Sequence, residues 1–295
     1  MSQHAHQWPL VVFTSLAMAG AGIVAVQPLG WAVGVPDVAG WNATGAWGSA
    51  LIALGLLVSL AHLGRPARLL QVRRGVRRSA LSNEVMLAGG TFAVSVVAAL
   101  VSGRGAAGEA LRFLAAVLAT AFLVSLGLVY RLRGQRTWQG AAVAGPAVSG
   151  LALGAAVLVA RDTRWPVVIL AAFFLGVDAG VFAVRWAGFG RFDPSLGPAR
   201  SSLVTWSHLI LGLRFTLFDV LPVGLLVTGR EAAAVAALAA GLAVDRLAFY
   251  LLAVQDTTEA EIARAEWVIA ELDSVAAVTL PGAGAAGGPG PPQRR

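Results

Sequence analysis

Apolar residues run in eight continuous stretches along the chain, near positions 9–34, 43–63, 81–102, 110–130, 140–160, 165–187, 203–228 and 231–254. Each is close to the about 20 residues that carry a helix across the hydrocarbon of a bilayer. The stretches are continuous rather than alternating, which argues against the strands of a membrane barrel. Lipid offers no partner to a free N–H or C=O, so each stretch must satisfy its own backbone as a helix. Clusters of Gly, Pro, Arg and acidic residues separate them. The pattern predicts an all-α polytopic membrane protein with eight transmembrane helices, forming one domain over residues 1–255.

The character changes after Val254. Thr258 with Glu261 has capping-box spacing, and Ile262, Ala265, Ile269 and Leu272 share one helical face. A short amphipathic surface helix is expected within 256–280, followed by a disordered Pro/Gly tail at 281–295. No Arg or Lys precedes the first apolar run and no small-residue cleavage signal follows it. That run is therefore expected to be a retained helix rather than a signal peptide. Trp8, Trp31, Trp41, Trp138, Trp165 and Trp186 fall near span ends, as an interfacial aromatic belt requires. Gly150 and Gly154 form a GxxxG, a signal for close helix approach in lipid.

Composition agrees. Of 295 residues 57% are hydrophobic and 13% charged, with mean hydropathy +0.75; a soluble domain carries about 25% charged residues. There is no cysteine, which excludes disulfides, thiolate catalysis and iron–sulfur clusters ligated by this chain. All 22 basic residues are Arg and the net charge is +7. In so apolar a chain this reads as topology signalling, not as a nucleic-acid footprint. With eight spans, one side carries Arg65, Arg68, Arg73, Arg74, Arg77, Arg78, Arg131, Arg133, Arg136, Arg185, Arg191 and Arg200. The other carries only Arg104, Arg112, Arg161, Arg164 and Arg230. The positive-inside rule then puts both termini and the 62–84 loop in the cytoplasm.

Ionisable groups within spans are few, and each is a functional candidate because lipid makes it expensive. His62 ends span 2 and Glu84 opens span 3, on one side of the membrane and joined by a short loop. An imidazole titrates near neutrality, so this pair suits a lipid-soluble substrate that releases protons when oxidised. The bland alternative is that each satisfies a helix end. Asp178 and Arg185 share a face of span 6; Arg214 and Asp219 in span 7 are five apart and less well aligned; Asp245 and Arg246 in span 8 point in different directions. They read either as interhelical ion pairs, the favoured choice, or as a polar path for protons through Asp178, Arg214, Asp219 and Arg246. His208 is expected to be a satisfied core residue. Only His62 and His208 could be axial haem ligands from spans, so two haems are excluded by count. No nucleotide loop, metal cluster or Ser/His/Asp arrangement is present.

Several motifs together resemble the membrane anchor subunit of dimethyl sulfoxide reductase-type complexes. They are His6-Gln7-Trp8-Pro9-Leu10, His62-Leu63-Gly64-Arg65-Pro66, Ser79-Ala80-Leu81-Ser82-Asn83-Glu84, Val129-Tyr130 with Thr137-Trp138, and Arg246 with Phe249-Tyr250. The resemblance implies a subunit without bound haem or metal that binds and oxidises menaquinol. It also implies an iron–sulfur partner subunit, passing electrons to a molybdopterin catalytic subunit in anaerobic respiration, at a bacterial or archaeal cytoplasmic membrane. His62 and Glu84 match the positions tied to quinol oxidation, with Gly64, Arg65, Pro66, Ser82 and Asn83 around them. In such complexes the catalytic subunits face the periplasm, opposite to the side the Arg count gives. The alternatives are an NrfD-like quinone subunit of another molybdenum oxidoreductase, an ion-coupled transporter using the span 6–8 carboxylates, and a purely structural anchor.

Overall fold

The computed structural model describes residues 8–35, 38–62, 80–101, 105–129, 141–189 and 208–251. These are almost wholly helical, with no strand among them. The helices are α1 (Trp8–Ala32), α2 (Val38–His62), α3 (Ala80–Leu100), α4 (Ala106–Val129), α5 (Ala141–Val159), α6 (Trp165–Phe189), α7 (His208–Val227) and α8 (Glu231–Leu251). Seven are long and apolar enough to span a bilayer; the remaining apolar stretch, Val143–Val159 in α5, is shorter. The described residues fall in a unit bounded by Met1 and Ala253. The helix expected within 256–280 and the tail at 281–295 lie outside the described residues.

Two helix ends show how the turns are made. After α1, the N–H of Val35 donates to the Gly30 carbonyl (3.1 Å) and that of Gly34 to Trp31 (2.9 Å). After α7, Arg230 donates to Leu225 (2.8 Å) and Gly229 to Leu226 (3.1 Å). Both are Schellman closures, and both need a left-handed residue: Gly34 has φ +81° and Gly229 φ +68°. In the α5–α6 turn Arg164 donates through Nε to both Asp162 oxygens (3.0 and 2.9 Å) and through Nη2 to the Gly34 carbonyl (2.6 Å). These hydrogen bonds from Arg164 hold the Asp162 carboxyl below its ordinary range.

α1 is the central helix. It packs against α2, α4, α5 and α8, and an unbroken run from Ala17 to Gln27 is buried. Glycine makes the close approaches possible. A Cβ on Gly22 would strike the Gly150 carbonyl, and one on Gly154 would strike the Gly22 carbonyl. The GxxxG of α5 therefore seats directly on the α1 backbone, as its small residues lead one to expect. Gly48 of α2 meets Gly20 of α1 in the same way, its Cβ position 2.9 Å from the Gly20 carbonyl. Several hydroxyls inside the spans bond back to their own helix, as Thr14 does to Leu10 (2.8 Å) and Thr91 to Leu87 (2.7 Å). Trp8, Trp31 and Trp165 stand exposed at helix ends, in keeping with an aromatic belt.

Candidate functional site

Two places carry the polar chemistry. The first is where α2 ends and α3 begins. α2 runs to His62 and α3 starts at Ala80, and the two helices pack together. The side chain of His62, and all of Gly64, Arg65 and Pro66, lie outside the described residues. Ser82 and Asn83 are half-buried in the first turn of α3. Glu84 is on the buried face of that helix with Ala88, Thr91, Ser95 and Ala98. It is 1% exposed, and among the described residues neither carboxyl oxygen has a hydrogen-bond partner. A lone carboxylate so placed is costly, because desolvation is not offset by any bond.

The second is a polar knot across α5, α6, α7 and α8. Arg214 is at its centre. Its guanidinium donates to Asp178 of α6 and Asp219 of α7, and its Nε lies 3.8 Å from Asp245 of α8. Arg185 of α6 donates to Asp245 at 2.7 Å, and Arg246 pairs with the other oxygen of Asp245. Ser149 of α5 donates to Asp178 at 2.5 Å. The Arg214 guanidinium also lies over the rings of Phe182 (4.5 Å) and Phe218 (4.6 Å), a cation–π contact at each. Three aspartates and three arginines thus neutralise one another, all of them buried. Among the described residues, the Nε atoms of Arg185, Arg214 and Arg246 and one oxygen of Asp219 have no hydrogen-bond partner.

Three expectations change here. Arg214 and Asp219 are not poorly aligned: residues Thr216–Val220 form a π-helix, in which Leu221 donates to the Thr216 carbonyl five residues back. A π-turn widens the helix, so residues five apart face the same way. Asp245 and Arg246, adjacent in sequence, pair with each other rather than diverging, while Asp245 also takes partners from α6 and α7. His208 is not a core residue; it is exposed at the start of α7, beside Trp186 with ring centroids 5.8 Å apart. Ser149 joins the knot without any signal in the sequence beyond a hydroxyl next to the α5 glycines. Among the described residues no group of three His, Cys, Asp or Glu is placed to hold a metal ion.

Among the described residues, eight apolar helices with a buried charge network and a buried carboxylate define a multi-pass membrane subunit. A family model for the DMSO reductase anchor subunit matches residues 1–181, which include His62 and Glu84. The chain belongs to that family. It is similar to the anaerobic dimethyl sulfoxide reductase chain YnfH of Escherichia coli (strain K12), 28% identical over 228 residues, or 70% of this chain and 80% of that one. The protein is accordingly a multi-pass anchor in the bacterial inner membrane, part of an oxidoreductase assembly of anaerobic electron transport.

Proposed function

We propose that this subunit oxidises menaquinol where α2 and α3 meet. The electrons pass to an iron–sulfur subunit and from there to a molybdopterin catalytic subunit. The observation that carries the reading is Glu84, a carboxyl in an apolar helix with both oxygens unpartnered among the described residues. A quinol hydroxyl supplies the missing hydrogen bond and then the proton. Oxidation of one quinol to quinone releases two electrons and two protons, so a second acceptor is needed. His62, at the same membrane face, has the right chemistry: an imidazole accepts a proton near neutrality. Gly64, Arg65, Pro66, Ser82 and Asn83 lie between the two groups in sequence. The chain has no cysteine, so a cluster that takes the electrons belongs to another chain. The name of the Escherichia coli relative supports a terminal reduction of dimethyl sulfoxide type on that other chain.

The knot around Arg214 is read as structural. Its charges cancel within hydrogen-bond distance, and a closed, neutral set of ion pairs fixes α6, α7 and α8 against one another without a mobile proton. Asp178, Arg214, Asp219 and Arg246 then position helices rather than conduct.

The test is menaquinol oxidation by the intact complex in membranes, wild type against His62→Ala, with assembly checked by subunit content. Lost turnover in a fully assembled complex is the expected result. Unchanged turnover would remove His62 from the site, and equal loss of assembly and turnover would favour a purely structural anchor.

A further inference from the structure

We propose that a lipid-facing groove along α1, α3 and α4 holds the polyprenyl tail of the quinol, with Asn83 at its head-group end. The proposal rests on the quinol-oxidising reading above and extends it to the substrate's chain. The groove has a volume of about 1060 Å³, at the upper end of the roughly 300–1,000 Å³ of small-molecule sites. Phe113, Val117, Val124 and Leu128 line it along α4. At 1.5 Å per residue, Phe113 to Leu128 gives a length of about 22 Å, enough for several isoprene units. Pro28 and Leu29 of α1 close the far end, and Asn83 and Met86 of α3 stand at the near one. Ala25, Ala116, Thr120 and Ala121 keep the channel open by being small.

The lining chemistry selects the occupant. Among the described residues no charged side chain lines the groove. The hydroxyls of Thr120 and Ser125 are turned onto their own helix, to Ala116 (2.9 Å) and Phe122 (2.8 Å). Asn83, the amide of the lining, stands next in sequence to Glu84. A phospholipid acyl chain in the groove would bring a charged head group to a lining whose described residues offer no charged partner. A quinol is neutral, donates hydrogen bonds from its head group and is apolar along its tail. It therefore satisfies both ends at once.

The experiment compares two substrates in the intact complex: long-tailed menaquinol and a tail-truncated menaquinol analogue. Ala121→Phe fills the groove, and Ala121→Leu fills it less. Val97→Phe, on a lipid-facing position of α3 away from the groove, is the control. Ala121→Phe is expected to raise KM for the long-tailed quinol about tenfold, the value of one lost apolar contact of this size. KM for the truncated analogue should stay unchanged, Ala121→Leu should give the same pattern with a smaller shift, and Val97→Phe should affect neither substrate. Equal shifts for both substrates, or none for either, would overturn the tail site while leaving quinol oxidation standing. Loss of a co-purifying phospholipid with unchanged kinetics would also overturn it, in favour of a lipid site. A wild-type complex inert to both quinols would sink the oxidation reading and the groove proposal together.

Discussion

Arg214 and Asp219 are five residues apart on one helix and still form a direct ion pair, because α7 opens into a π-turn between them. In a regular α-helix that spacing would turn the carboxylate away from the guanidinium. The π-turn thus places both groups on the side facing Asp178 and Asp245. Pro222, two residues after its end, sits where its missing N–H is tolerated at the start of the resumed α-helix. The local irregularity and the charge network are two aspects of one arrangement.

Removing the hub of that network should be severe. Arg214→Met leaves Asp178 and Asp219 buried without their main partner, and breaking one side of a buried ion pair costs about 3–5 kcal/mol. Thermal unfolding of the purified complex, or loss of the subunit from membranes, reads this out. A variant as stable as wild type would mean that the charges are neutralised in another way.

The aspartates around Arg214 should not be equivalent. Asp178 accepts from both Arg214 and Ser149, whereas Asp219 accepts from Arg214 alone and keeps one oxygen unpartnered. Hydrogen bonds to charged groups are worth about 1.5–3 kcal/mol each. Asp178→Asn should therefore destabilise by more than Asp219→Asn, by about the value of one such bond, in parallel melts of the two variants. The reverse order would contradict the assigned partners.

The helices were legible in the sequence because each carries its own signal. The run at 140–160 became Ala141–Val159 and the run at 81–102 became Ala80–Leu100. α2 begins earlier than the apolar run at 43–63 suggests, at Val38, because Trp41 and Asn42 dilute the hydropathy of its first turns. The charge network was legible only as a list. Which Asp meets which Arg depends on how helices pack, and no periodicity within one helix encodes it. The π-turn was invisible for the same reason: its residues, Thr216 to Val220, read as ordinary apolar helix. Glu84 was singled out for its type and place, but its lack of a partner among the described residues emerged only from the packing around it.

The glycine contact between α1 and α5 should tolerate no side chain. A Cβ on Gly22 would overlap the Gly150 backbone, not a flexible side chain that can yield. Gly22→Val should push the helices apart and destabilise by at least the about 1–3 kcal/mol typical of overpacking. Gly176→Val on α6, where an added Cβ meets nothing within 4 Å, is the matched control. Membrane yield and melting temperature of the two variants decide the matter. Equal behaviour would show that α1 and α5 are not in this contact.

Glu84 should trade stability against activity. Its carboxylate is buried without a bond, so Glu84→Gln removes a charge that folding must desolvate while keeping nearly the same shape. The variant should fold at least as well as wild type, with an equal or higher melting temperature. If the carboxyl accepts a quinol proton, menaquinol turnover should fall by about 10²–10⁴-fold, the usual worth of a positioned acid–base group. A purely structural residue would give the opposite combination, a lower melting temperature with normal turnover per assembled complex. Measuring both quantities on one preparation separates the two roles: strain left at a functional position is relieved by substitution, whereas a packing residue is missed by the fold before it is missed by the chemistry.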